Sequence, residues 1–304
     1  DSSAHNPSLD ADGLTLGGNY TDINKASNNY VVWNWLAGGA PTGTNSAGTG
    51  ATPTAGSVKV DGSNHGSALS GTLVVKEASA NTTSGFSIIQ YTGNATAGAT
   101  FDHLLGQTPQ MVILKPMEEA EGWVVYHEGI GNTGGVFLNS SGGTSSGSHY
   151  FNNTSPTSSL FTVSGHIMVN GSGEEMIAYC FASIPGFSKF STYVGNGTSG
   201  DGPFVNMDFS PSYIMYKNTS QGAGWRIYDS KRDTSNVAEQ GLTANTTSAE
   251  KGDQSAVQGD FLSNGWKIRN PGTTADGGNV NTNVYIYMAF AENPFSGTTP
   301  ATAR

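Results

Sequence analysis

The chain has 304 residues, 42 of them glycine, with 12% charged side chains and a formal net charge of −10. Its 13 Lys and Arg form no basic run, which argues against a nucleic-acid partner, because phosphate binding needs clustered cations. One cysteine leaves no internal disulfide, and no apolar stretch approaches the roughly 18 residues of a membrane helix.

In chain order, residues 1–12 are polar and expected to be loose. Gly13 to Leu16 and Tyr30 to Leu36 read as strands, the second carrying Val31, Val32, Trp33 and Trp35. No charged-apolar-small leader precedes them, so an extracellular location would have to come by another route, such as lysis. Gly38 to Gly56 is rich in Gly, Ala, Thr and Pro and reads as a linker too poor in apolar side chains to pack. SVKV (Ser57 to Val60) and GTLVVKE (Gly71 to Glu77) then read as a hairpin with a long tip.

From Ser84 onward the chain is a series of runs of four to eight residues rich in Val, Ile, Phe and Tyr, each bounded by Gly, Asn, Ser or Pro. A helical turn near Ser235 to Gln240 is the only helical candidate. The runs recur. Tyr91 lines up with Tyr193, Pro109 with Pro211, Lys115 with Lys217, Gly122-Trp123 with Gly224-Trp225, and Tyr126 with Tyr228, each 102 apart (228 − 126). Phe181 meets Phe290 at 109 (290 − 181), so the second copy carries extra residues. NNYVVWNWLAGG (Asn28 to Gly39) reads as a further copy of the closing strands EEMIAYCFA and VYIYMAFA.

The expected class is therefore all-β, with tandem antiparallel β-sandwich repeats of jelly-roll or concanavalin-like type. Residues 1–39 would be the closing strands of an incomplete repeat and 40–83 a linker plus hairpin. Residues 84–189 and 190–304 would be two full repeats, the second with a C-terminal tail. The closing strands are apolar on both faces and are expected in the middle of a sheet or at a domain junction.

Motifs that could carry chemistry have weak contexts. GNGTSG (Gly195 to Gly200) lacks the following helix that a phosphate cradle needs. GTSSG (Gly143 to Gly147) lacks the strand and helix of a nucleophile elbow. The six histidines show no ligand spacing and read as surface or turn residues. Glu118, Glu119 and Glu121, and the mixed-charge loop with Asp229, Lys231, Arg232 and Asp233, read as solvent-facing. Loops around Asp201 or Asp276 lack calcium-loop spacing. Cys180 reads as a buried thiol. The sequons at Asn81, Asn94, Asn139 and Asn245 follow from the composition. No catalytic, cofactor or metal-binding residue is expected. Trp123, Trp225 and Trp266 read first as core or half-core indoles; the rival role is stacking on a glycan, which requires exposure in a surface groove.

The strings VVWNWLAGG, GFSIIQYTGN, GWVVYHEGIGNT, FNNTSPTSSLFTV, IAYCFASIPGFSKFSTYVGNG, DGPFV, DFLSNGWKIRN, YIYMAFAENPF and the terminal ATAR together resemble a family of marine tailed-phage virion proteins. These occur in cyanophage-like genomes and often begin with a concanavalin-like (laminin G-like) domain. The resemblance covers nearly the whole chain and supplies no enzymatic residues. It implies a non-enzymatic virion structural protein, namely a tail fibre, appendage or capsid-surface decoration, located on the particle surface. Its partners would be other virion proteins and host surface glycans, with several copies or a homo-oligomer per particle. The alternatives are a carbohydrate-binding (lectin-like) module and, further off, a polysaccharide-degrading enzyme with two carboxylates across a cleft.

Overall fold

A computed structural model describes residues 8–10, 13–16, 23–250, 258–270, 272 and 274–294. It is 37% strand and 3% helix, so the protein is all-β. The backbone divides into residues 1–35 and residues 36–304. In the first unit, β1 (Ser8–Asp10) and β2 (Gly13–Thr15) form an antiparallel pair. The strand expected at Tyr30–Leu36 does not form: the segment belongs to no ladder. Strand propensity in VVWNW is not sufficient without a neighbouring strand to pair with.

In the second unit, β3 (Val58–Val60), β4 (Ser63–Asn64), β5 (Val74–Asn81) and β6 (Phe86–Thr92) open the fold. They are followed by β7 (Ala99–Asp102), β8 (Met111–Pro116), β9 (Val124–His127), β10 (Gly134–Phe137), β11 (Ser145–Ser146) and β12 (Leu160–Val163). A single helical turn, α1 (Ile167–Asn170), precedes β13 (Glu175–Phe181). Next come β14 (Ser188–Val194), β15 (Phe204–Asn206), β16 (Pro211–Asn218) and β17 (Arg226–Asp229). The series ends with β18 (Leu242–Thr243), β19 (Gly259–Leu262), β20 (Gly265–Ile268) and β21 (Val284–Ala291).

The first large sheet has the order β11-β10-β9-β8-β13-β6-β5-β3-β4, and the second has β14-β21-β16-β17-β18. Read from the other end, the second order is β18-β17-β16-β21-β14, which corresponds strand for strand to β10-β9-β8-β13-β6. The small pairs correspond as well, β12 on β7 and β20 on β15. Both closing strands are central, β13 between β6 and β8, and β21 between β14 and β16.

The segment before Ser84 differs from the linker and hairpin expected. β3 runs parallel to β5, so the two cannot be arms of a hairpin, and β5 extends the first sheet beyond β6. Residues 38–56 pack through backbone and polar groups instead of apolar side chains. Asn45 is buried, donates Nδ2–H to the Val75 carbonyl and accepts the N–H groups of Ala47 and Thr54. Gly38 lies so close to β5 that a Cβ there would stand 1.8 Å from the Ala80 oxygen. The turn expected at Ser235 to Gln240 is irregular. The helical turns sit instead at α1 and at a 3-10 turn, Ala275–Gly277.

The inner faces of the sheets form two cores. The first gathers Ile89, Tyr91, Val112, Leu114, Val124, Tyr126, Met176, Ala178 and Cys180 with Phe101, Phe151 and Phe161. The second gathers Tyr193, Ile214, Tyr216, Tyr228, Tyr285, Tyr287 and Ala289 with Phe261 and Trp266. Along β13 buried and half-buried residues alternate until Phe181, whereas along β21 every residue after Val284 is buried. β21 is therefore covered on both faces. Its outer residues Met288 and Phe290 are buried along with the inward-facing ones.

Two asparagines anchor the halves in the same way. Asn170 Oδ1 accepts the Asn94 N–H at 2.8 Å, and its Nδ2 donates to the Thr96 and Ser164 carbonyls. Asn279 Oδ1 accepts the Asn196 N–H at 3.0 Å, and its Nδ2 donates to the Thr198 and Asn270 carbonyls. The neighbouring Gly93 and Gly195 admit no side chain, since a Cβ would lie 2.1 Å from the Gly171 oxygen in one and 2.2 Å from the Val280 oxygen in the other.

Candidate functional site at the junction of the two sheets

The Gly-Trp pairs lead into β9 and β17, and in each an asparagine from a later loop caps the indole residue's backbone. Asn139 Oδ1 accepts the Trp123 N–H at 3.0 Å and Asn245 Oδ1 accepts the Trp225 N–H at 2.9 Å. Two of the sequons thus mark structural asparagines. The indoles themselves fare differently. Trp123 is half-buried and stacks on Tyr179 at 6.4 Å. Trp225 is 1% exposed and its Nε1–H donates to the Phe137 carbonyl of the first half at 2.8 Å. Trp266 is also 1% exposed, packed edge-on against Phe261 at 4.7 Å and tilted over Tyr228. Covered indoles offer no face to a sugar ring, which removes Trp225 and Trp266 as stacking platforms.

More hydrogen bonds close the same junction. Ala223 N–H donates to the Ser141 carbonyl at 2.7 Å, and Thr144 N–H to the Thr219 carbonyl at 3.3 Å. His127, expected on the surface, is wholly buried, its Nε2 3.1 Å from the Tyr287 carbonyl oxygen. Burial pushes its pKa down to about 4 against the pull of that carbonyl, so the ring is neutral and Nε2 carries the proton. His103 is buried as well, with its pKa lowered by burial.

Around Trp225 stands a charged cluster. Lys217 is fully buried; its Nζ donates to the Ala223 carbonyl at 2.7 Å and the Ser140 carbonyl at 3.3 Å, and lies 5.6 Å from the Trp225 ring centroid. Desolvation lowers its pKa to about 8, opposed by the charge of Asp276. On the other side of β17, Arg226 donates Nη2–H to Asp276 Oδ2 at 2.7 Å and Nη1–H to Thr243 Oγ1 at 2.9 Å. Asp276 Oδ1 accepts the Gly224 N–H at 2.7 Å. Beside the cluster is a cavity of about 360 Å³ lined by Ser141, Arg226, Thr243, Asn245, Ser248 and Asp276.

The remaining sequence candidates are distributed elsewhere. Asp229, read as solvent-facing, is buried and accepts Arg232 Nε–H at 2.6 Å; Arg232 also pairs with Glu250. Asp201 pairs with Lys267 at 2.6 Å, which lowers its pKa, and the described residues contain no group of three His, Cys, Asp or Glu that could hold a metal. The GNGTSG loop folds around Asn196, whose Nδ2 donates to the Asp201 carbonyl at 2.9 Å. Sequence reasoning missed Arg226, Asp276 and Asn245 as a cluster, because the three meet only through the ladder β16-β17-β18 and the 3-10 turn.

A family described as a domain of unknown function, DUF7483, matches residues 61–294. The chain belongs to the DUF7483 family. The DUF7483 match opens at the turn between β3 and β4 and closes just after β21, so it takes in the second large sheet, the first apart from β3, and the junction between them. No curated protein and no solved structure matches the chain.

Proposed function

We propose that this DUF7483 protein is a non-enzymatic structural component of a tailed-phage virion, a tail fibre, appendage or capsid-surface decoration that serves particle architecture or host attachment. The observation that carries this reading is the corresponding strand order of two sheets joined by hydrogen bonds at His127–Tyr287, Trp225–Phe137 and Ala223–Ser141. We read these sheets as tandem copies of one sandwich of jelly-roll or concanavalin-like type. A stiff series of such units, each contacting its neighbour, suits a projecting element, and many copies on one particle turn weak contacts into avidity. The resemblance of FNNTSPTSSLFTV, DFLSNGWKIRN and YIYMAFAENPF to virion proteins supports the same reading. The partners are other virion proteins and host surface glycans.

Gold-antibody labelling of intact particles, imaged by electron microscopy, tests it. Label on tails or fibres supports attachment, label over the capsid supports decoration, and particles without label overturn the assignment.

A further inference from the structure

Along the strands they share, the two halves change spacing at two places. The spacing between equivalent residues is 102 at Tyr126 and Tyr228 (228 − 126) and 106 at Asn139 and Asn245 (245 − 139). It stays at 106 for the paired carbonyls of Ser164 and Asn270 (270 − 164) and reaches 109 at Asn170 and Asn279 (279 − 170). The second half has therefore gained four residues before Asn245 (106 − 102) and three between Asn270 and Asn279 (109 − 106). The first gain lies between β17 and β18, because Thr243 faces Arg226 as Phe137 faces Val124 and is already 106 on (243 − 137), and the second lies in the loop that carries Asp276. The loop that carries Asp276 and the stretch from Thr243 to Ser248, just after the first gain, wall one cavity, and the first-half loop at Ser141 closes a third side.

The groups presented there form a matched set. Asp276 is held at both carboxylate oxygens, by Gly224 N–H and by Arg226, yet its side chain is 40% exposed, so spare lone pairs face solvent in a fixed position. Asn245 is fixed by the Trp225 N–H at its Oδ1, which leaves the Nδ2 amide protons for a second partner. Thr243 Oγ1 accepts from Arg226 and keeps its own proton to donate, and the hydroxyls of Ser141 and Ser248 stand on the wall. A fixed carboxylate acceptor beside an amide and hydroxyl donors suits a ligand whose every group both donates and accepts. That ligand is a polyhydroxylated ring. Among the described lining residues Ala223 is the one apolar side chain, which disfavours a hydrophobic ligand, and an exposed carboxylate at contact distance disfavours an anionic one. The volume lies within the roughly 300–1,000 Å³ of small-molecule sites.

We propose that this cavity binds a neutral saccharide residue, with Asp276 accepting from its hydroxyls and Asn245, Thr243 and Ser248 donating to them. The proposal deepens the host-attachment side of the function proposed above and rests on it for its biological setting alone.

The test is saturation-transfer NMR on the full chain with glucose, galactose, mannose and N-acetylglucosamine, and with glucuronate as the anionic control. At least one neutral sugar is expected to receive saturation, and glucuronate less. Ser248→Trp on the exposed rim is expected to weaken binding at least about tenfold while leaving the melting curve unchanged. Asp276→Asn is expected to weaken it too, and Ser248→Trp decides the matter if the loss of the Arg226 partner prevents folding. No transfer to any neutral sugar, transfer that survives Ser248→Trp, or a preference for glucuronate would each overturn the proposal. Sugar binding without particle labelling would sink the virion reading and keep the site; labelling without sugar binding would do the reverse.

Discussion

The two halves share one strand order and fill it with different chemistry. Where the first core has Leu114, Met176 and Ala178, the second has Tyr216, Tyr285 and Tyr287. Tyrosine adds ring area to a core but brings a hydroxyl that needs a partner. Tyr285 Oη meets that need by accepting from Val280 N–H and Asn218 Nδ2–H, and Tyr216 Oη reaches the Asp276 carbonyl at 3.5 Å. The polar loops of the second half thus serve the core as well as the surface. One strand order thus holds two sets of inward side chains at these positions, aliphatic in one half and phenolic in the other.

The strongest test of this equivalence is a charge in each central strand. Cys180 and Ala289 occupy equivalent buried positions, and Cys180→Asp or Ala289→Asp is expected to abolish the cooperative melt. Because the junction is buried, calorimetry of the parent protein should show one transition; two separate transitions would mean that the halves fold independently. Next in size is the contrast between the indoles. Trp225→Ala is expected to cost about 3–5 kcal/mol, and Trp123→Ala, from a half-buried stack, about half as much, both read from denaturant midpoints. Equal losses would contradict the placement of Trp225 at the junction.

Acid should probe the junction through His127. The folded protein keeps the ring neutral down to about pH 4, whereas the unfolded chain protonates near 6.5. The unfolded state therefore binds more protons between these values, and stability, complete above about 6.5, falls as pH drops toward 4. The full loss is about 3 kcal/mol, because each pH unit between the two values contributes about 1.4 kcal/mol. Urea titrations across that window should show the decline, and His127→Gln should flatten it. The smallest effect expected is that of the anchors. Asn170→Ala and Asn279→Ala should each cost about 1 kcal/mol, since each strands one buried carbonyl, and the two losses should be similar. A loss at one position alone would break the equivalence drawn between them.

Much of this fold was legible in the sequence because its signals are local or periodic. The short apolar runs, the Gly-Trp pairs and the offset of 102 placed β6, β8, β9, β14, β16 and β17, and two-faced apolarity left β13 and β21 either in mid-sheet, where they lie, or at a domain junction. What was not legible depends on contacts between distant segments. The parallel pairing of β3 with β5 cannot be read from either run, and residues 38–56 pack through Asn45 and Gly38, not through the apolar residues that a pattern search counts. His127 and Asp229 looked like turn residues, and their burial follows from the second half closing over one and from Arg232 closing over the other. The cavity was invisible for a similar reason, since Arg226 and Asp276 are fifty positions apart (276 − 226) and meet through an added loop.

The lone thiol turns the fold into its own clock. Cys180 is fully buried in β13, and burial pushes its pKa up to about 12, so at neutral pH it is both unionised and out of reach. A thiol reagent can react only during moments when the central strand of the first sheet is open. With no second cysteine to compete, the labelling rate of the unmodified protein counts those openings directly. The same measurement can follow whether a saccharide in the junction cavity slows breathing of the first sheet, without a tag or a single substitution.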